Sequence, residues 1–203
     1  MFRRWMVVSL ALLTTGCGYN RIQELDERAQ AYQGQIEVQL QRRADLIGNL
    51  VETVKGYAAH EEQVFTSVAQ ARAGLVGAVR SGDSEQMANA NAQLTGALGR
   101  LFAVVENYPN LKADQGFLRL QDELTGTENR VAVSRGDYNT AVNEYNAYIR
   151  RFPAVITAKV TGAKPRKYFT AAPGTTEAPK VDFSRPNTPA TPAPTTPPAT
   201  KAP

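Results

Sequence analysis

The chain has 203 residues, a formal charge of +4, one cysteine and one histidine. The length suits a single core; one cysteine excludes disulfide staples, and one histidine excludes nearly every zinc constellation. Residues 20 to 152 carry 17 acids against 14 bases, so the basic excess sits at the two ends and the body offers no basic footprint for nucleic acid.

The chain begins with Arg3 and Arg4, an apolar stretch from Trp5 to Leu13, and the small residues Thr14-Thr15-Gly16 before Cys17. That order reads as a signal peptide over residues 1–16. A transmembrane helix needs roughly 20 apolar residues, and the uncharged run between Arg4 and Arg21 is shorter and partly polar, so a single-pass anchor is the alternative reading. The placement of Cys17 resembles the lipobox of bacterial lipoproteins, which implies an acylated cysteine as first mature residue and a lipid-anchored stretch at 17–19. The lipobox usually has Leu three residues before the cysteine; here Thr14 stands there and Leu13 one place earlier. An inert thiol in an ordinary leader is the competing account. Several acyl chains on one residue would suffice for stable anchoring, and Gly18 would fit sorting to the outer membrane.

From Gly18 to Tyr108 there is no proline, which permits long helices. Ile22, Leu25, Ala29, Tyr32, Ile36, Leu40, Arg43, Ile47, Leu50, Val54 and Tyr57 recur at threes and fours and predict one packing stripe. Two shorter runs follow, through Val64, Val68, Ala71, Leu75 and Val79, then Met87, Leu94, Leu98, Leu101 and Val105. Ser81-Gly82-Asp83-Ser84 separates them, with Asp83 or Ser84 as N-cap. After Asn107-Tyr108-Pro109-Asn110 a second long stripe runs through Phe117, Leu120, Leu124, Glu128, Val131, Arg135, Tyr138, Val142, Tyr145, Ile149 and Phe152. Each long helix should measure roughly 55 Å. Short connections favour antiparallel neighbours, so residues 20–152 are expected to form an all-α, up-down-up-down four-helix bundle. Its outer helices should extend past the inner pair as a two-helix hairpin.

Arg43, Glu128 and Arg135 interrupt these stripes, and buried charge is costly unless paired. With Tyr57 near Gln115, facing residues total about 172 in number, which sets Arg43 against Glu128, Arg135 against Glu37, and Gly34 against the ring of Tyr138. These polar pairs are expected to fix register, as in coiled coils; an internal anion or metal site is the weaker alternative. His60 stands alone beside Glu61 and Glu62, without a nucleophile to serve. Gly74, Gly77, Gly96 and Gly99 match no phosphate loop and suggest close helix approach. No catalytic residue, cofactor or metal site is expected.

After Phe152-Pro153, residues 153–184 hold a short apolar run (Val155, Ile156, Val160) and then Lys159, Lys164, Arg166 and Lys167. This extension should pack on or near the bundle. Its bases would either complement a helix dipole or rest on lipid headgroups. Residues 185–203 are rich in Pro, Thr and Ala, with seven prolines between Pro186 and Pro203, a composition that predicts a disordered, semi-extended tail.

Several ordered motifs carry a family resemblance. Val38-Gln39-Leu40-Gln41-Arg42-Arg43-Ala44-Asp45-Leu46-Ile47, Asn49-Leu50-Val51 and Thr53-Val54-Lys55-Gly56-Tyr57-Ala58 come first. Glu106-Asn107-Tyr108-Pro109-Asn110-Leu111-Lys112-Ala113, Phe117-Leu118-Arg119-Leu120-Gln121, Glu123-Leu124, Thr127-Glu128-Asn129-Arg130 and the Tyr-Asn pairs at 138 and 145 follow. Together, from about Tyr19 to Phe183, they resemble the LemA family. The resemblance implies an antiparallel helical bundle held outside the cytoplasm by an N-terminal membrane anchor, and it supplies no catalytic residues. Members often have proline where this chain has Gly48. The expected function is therefore that of a non-enzymatic envelope lipoprotein, a structural or adaptor protein tied to the membrane through Cys17 and binding an envelope protein. A lipid or small-ligand carrier is the alternative.

Overall fold

The computed structural model describes residues 2–58 and 60–170, with side chains from Gly18 onward. These residues are helical apart from turns and one extended segment, and no strand occurs among them. The elements are α1 (Phe2–Lys55), α2 (Glu62–Ser81), α3 (Ser84–Val105), α4 (Pro109–Lys112), α5 (Gln115–Tyr148) and α6 (Ala154–Thr161). The boundaries follow local chemistry. Asp83 caps α3, its side chain accepting from the amides of Glu85 and Gln86 at 2.9 and 3.1 Å, and Asp114 caps α5 by accepting from Phe117 at 2.8 Å. Gly82, at φ 67°, ends α2 in the left-handed conformation that glycine adopts without steric penalty.

α1 and α5 pack antiparallel along most of their shared length, while α2 and α3 form a hairpin set against α1. Three contacts fix the register of the long pair. Arg28 meets Glu144 at 3.1 Å, Arg43 meets Glu128 at 2.5 Å, and the Tyr57 hydroxyl donates to Asp114 at 3.2 Å. In each, the residue numbers total 171 or 172, the register read from the stripes. Gln33 Nε2 donates to the Gly82 carbonyl at 2.8 Å, so the α2–α3 turn lies level with residue 33 and α1 runs on beyond it. The overhang is closed by α6, which packs on α1.

Two apolar clusters result. The larger joins α1, α2, α3 and α5 through residues such as Ile36, Leu40, Ile47, Leu75, Leu94 and Val131; the smaller, in the overhang, consists of Ile22, Leu25, Tyr145, Ile149 and Ala158. The first stripe is buried from Ile22 to Val54 apart from half-buried Tyr32. The second is displaced by one residue in its middle. Thr127 and Ser134 are buried, while Glu128 is half-buried and Arg135 exposed. A seam at Leu124, Thr127, Val131, Ser134, Tyr138 and Ala141 keeps strict three-four spacing, alternating large with small side chains. Glycine also differs from expectation. A Cβ built at Gly34, Gly74, Gly77, Gly96 or Gly99 would meet nothing within 4 Å, so none of these positions serves close approach, and Gly34 is not what makes room for Tyr138.

Candidate functional site

Two polar assemblies stand out against the apolar body. The first is centred on Arg43 in α1, whose side chain is only 5% exposed. Its Nη1 approaches Glu128 Oε2 of α5 at 2.5 Å, off the hydrogen-bonding direction, so the attraction is chiefly coulombic. The same nitrogen donates to Asn91 Oδ1, and Nη2 donates to Thr95 Oγ1 at 3.0 Å, both on α3. One guanidinium thus ties three helices. Burial lowers its pKa and the neighbouring Glu128 opposes that shift. Arg43 Nε and Glu128 Oε2 are buried without a hydrogen-bond partner. The Arg43 side chain borders a crevice of about 380 Å³ between α3 and α5, whose other walls include Leu98, Phe102, Leu124 and Gln121.

The second assembly holds an extended strap, residues 163–170, along the overhang. Gly162, at φ 74°, ends α6 and redirects the chain. Asn146 then grips the Arg166 backbone at both groups: Nδ2 donates to its carbonyl and Oδ1 accepts from its amide, each at 2.9 Å. Seven residues earlier on α5, Asn139 does the same to Phe169, at 3.1 and 2.8 Å. The tyrosine preceding each asparagine adds a donor. Tyr145 donates to the Lys164 carbonyl at 3.1 Å and Tyr138 to that of Lys167 at 2.9 Å. Tyr138 Oη also accepts from Ser84 Oγ at 2.9 Å, linking the start of α3 to the strap. Burial raises the pKa of Tyr145, with Asp26 adding to the effect.

Side chains of the strap complete the fastening. Arg166 forms a bidentate pair with Asp26 of α1, at 2.6 and 2.9 Å, a geometry stronger and more specific than a single contact. Lys167 Nζ lies 3.2 Å from both Asp83 and Glu85 at the start of α3. The Asp83 carboxyl is held below its ordinary pKa by the Gln86 amide first and Lys167 second, and Lys167 is raised by Asp83 and Glu85. Phe169 is buried in the larger cluster. Because the asparagines and tyrosines address backbone groups, their bonds do not depend on the strap's side chains, whereas Asp26 and Asp83 engage its bases and the apolar cluster takes Phe169.

The expected site residues divide as follows. Arg43 and Glu128 are brought together. Glu37 and Arg135 are not: Glu37 accepts from Gln33 at 2.9 Å, and the one-residue displacement of the seam turns Arg135 to solvent. The side chain of Cys17, the leader's side chains and residues 171–203 lie outside the described residues. His60 is exposed, and no three His, Cys, Asp or Glu side chains gather as metal ligands among the described residues. The Asp26–Arg166 pair and the strap clamp were not anticipated. Their one visible signal is the Tyr-Asn dipeptide repeated after seven residues, which puts both copies on one face of a helix.

A family model described as LemA family matches residues 32–183. Magnetosome proteins MamQ 1 and MamQ 2 of Paramagnetospirillum magneticum (strain AMB-1) are each 32% identical over 178 residues, covering 76% of this chain and 65% of theirs. Magnetosome protein MamQ of Magnetospirillum gryphiswaldense (strain MSR-1) is 30% identical over 178 residues with the same coverage. The chain thus spans 65% of the length of these curated relatives. The region that the family model matches includes the Tyr-Asn repeat and the strap, whereas Asp26 precedes it.

Proposed function

Since the chain belongs to the LemA family, we propose that it is a non-enzymatic envelope lipoprotein, a structural or adaptor protein whose bundle surface holds an envelope partner. In this reading Cys17 carries the lipid, α1, α2, α3 and α5 act as one up-down-up-down bundle, and the bundle stands on the periplasmic side. Gly18 fits placement at the outer membrane; a single-pass N-terminal segment would hold the same body at the inner one. Among the described residues no helix is long and apolar enough to cross a membrane.

The observation that carries this reading is the convergence of both ends of the folded body beside Cys17. A Cβ at Gly18, the next residue, would lie 3.4 Å from Thr157 Oγ1 of α6, so α6 and the start of the body share one end and the α2–α3 hairpin stands away from it. An anchor at that end presents the remainder as a platform. Mass spectrometry of the mature N-terminus tests the anchor: an acylated peptide beginning at Cys17 is expected, and an intact peptide beginning at Met1 would defeat it. A photo-crosslinker at Val133, 65% exposed on α5, tests the adaptor role in intact cells. One recurrent envelope protein should be captured, and capture of none from Val133 or from Leu118 would sink that role.

The α3–α5 crevice supports the second reading, a lipid or small-ligand carrier. Its lining combines a buried guanidinium with Leu98, Phe102 and Leu124, the mixture of apolar wall and few polar groups typical of ligand sites. Native mass spectrometry of the purified chain distinguishes the two, since a carrier retains a small molecule and an adaptor does not.

A further inference from the structure

α6 has two faces of opposite character. Ala154 and Ala158 are buried, and α6 packs on α1. Ile156 and Val160, one turn apart on the other side, are 53% and 82% exposed, and Phe152 just before the helix is 81% exposed. A single exposed apolar residue needs no account, but two bulky ones a turn apart on α6, with Phe152 exposed just before the helix, leave an apolar patch at this end of the molecule.

The charge around this patch has one sign. Between Tyr145 and Thr170 the chain has six bases and no acid. Arg166 and Lys167 are engaged by Asp26, Asp83 and Glu85. Arg150, Arg151, Lys159 and Lys164 are exposed and belong to none of the ion pairs among the described residues. Helix dipoles would account for bases that follow the C-terminal ends of α5 and α6, yet not for the apolar side chains set in water beside them. The patch also has a defined place, because Thr157, between Ile156 and Ala158, is the residue that Gly18 faces.

We propose that this end of the molecule is a lipid-facing foot. Phe152, Ile156 and Val160 enter the boundary between headgroups and acyl chains of an anionic bilayer, and Arg150, Arg151 and Lys159 lie on its phosphates. Three side chains offer too little area for a stable protein interface of roughly 800 Å² per partner. At a bilayer, the same small apolar area acts together with each base that reaches the anionic surface. The proposal rests on the anchored reading and deepens it: the anchor supplies attachment, and the foot supplies a second point of contact that fixes the tilt of the bundle.

The test uses the full chain with Trp5→Phe, which removes the only tryptophan, and a Phe152→Trp probe. The protein is reconstituted with phosphatidylcholine vesicles and with vesicles containing phosphatidylglycerol, each with and without bromine on the acyl chains. Flotation reports attachment and quenching reports the foot. Quenching of the Phe152→Trp probe is expected in brominated anionic vesicles, with none for a Val133→Trp probe. It should be lost when Arg150→Glu, Arg151→Glu and Lys159→Glu are combined, while circular dichroism stays unchanged. A chain that floats without quenching overturns the foot and leaves the anchor standing. A chain that floats only with anionic vesicles, and no longer does after charge reversal, supports the foot and removes the anchor. One that does neither defeats both.

Discussion

The body and the overhang of this molecule are held together by different physics. In the body, α1, α2, α3 and α5 share a cluster whose members Leu40, Ile47, Leu75 and Leu94 are fully buried, so cohesion comes from apolar area, which has no direction. In the overhang α1 and α5 are left without the inner pair, and the cluster they share with α6 has only five buried members. The chain's own extended strap covers them, fastened by side-chain hydrogen bonds to its backbone and by ion pairs, which are directional and reversible, with Phe169 as its one side chain buried in the body's cluster. Cohesion by area resists change throughout a domain, whereas cohesion by a row of hydrogen bonds opens locally. The body should therefore set global stability and the overhang local dynamics.

The largest effects belong to the body. Leu40→Ala removes a fully buried side chain and should cost about 2–5 kcal/mol in chemical denaturation; a loss under half a kilocalorie would mean that the inner pair does not pack there as described. The Arg43 centre comes next. Arg43→Glu places a second acid beside Glu128 and leaves Asn91 and Thr95 without their donor, and a loss of about 1–3 kcal/mol is expected, because Arg43 is buried while Glu128 is half-exposed and stays partly solvated. Combining it with Glu128→Arg should recover part of that loss. If single and double variants unfold at the same denaturant concentration, the pairing contributes nothing to register.

The same contrast explains what could be read from the sequence. The helices of the body were legible because proline is absent from the interiors of α1, α2, α3 and α5 and large apolar residues recur with helical period. Within α5 the reading slipped by one position at Glu128 and Arg135, because the true seam residues Thr127 and Ser134 are small and polar and lack a hydrophobic signal. Their burial is visible only in the unbroken three-four spacing of the neighbours. Thr127 satisfies its hydroxyl on the Leu124 carbonyl at 2.8 Å, which lets a polar residue occupy the seam. The strap was illegible for a deeper reason. An extended segment has no period of its own, and its partners are backbone groups that every sequence carries.

Breaking the clamp should sharpen the comparison. Asn146→Ala removes both bonds to Arg166 and leaves partly buried backbone groups unsatisfied, a penalty of about 1–3 kcal/mol for the strap. The expected readout is faster amide exchange at Arg166 and Phe169 and faster proteolysis within residues 163–170, with exchange around Leu40 and Leu94 unchanged. Equal acceleration in body and strap would show that the two regions unfold as one. Acid should act in the same direction more weakly. The folded pKa of Asp83 is depressed by the Gln86 amide and Lys167, so its contribution is present above the ordinary carboxylate range and lost as pH falls through the lower folded value. Lys167 is shifted up by Asp83 and Glu85, so its share persists below the ordinary lysine range and is lost only as pH rises through the raised folded value. Resonances of the strap and of the α3 cap should therefore move at the acid end before those around Leu40 and Leu94, and a strap that stays fixed until the body unfolds would refute the local hold.

The smallest effect tests whether the level of the α2–α3 turn, where body gives way to overhang, carries a backbone requirement. Gly34 stands one residue from Gln33, whose side chain binds Gly82, and a Cβ at Gly34 would meet nothing within 4 Å. The residue is helical, so alanine fits its conformation without strain and reduces the freedom of the unfolded chain. Gly34→Ala should stabilise the protein by about 0.5–1 kcal/mol, seen as a higher denaturation midpoint with unchanged slope. Destabilisation would mean that α1 bends or breathes at this level, and that body and overhang are joined by a hinge. A gain in stability fits one continuous helix running through both regions, in which the strap is the part free to move.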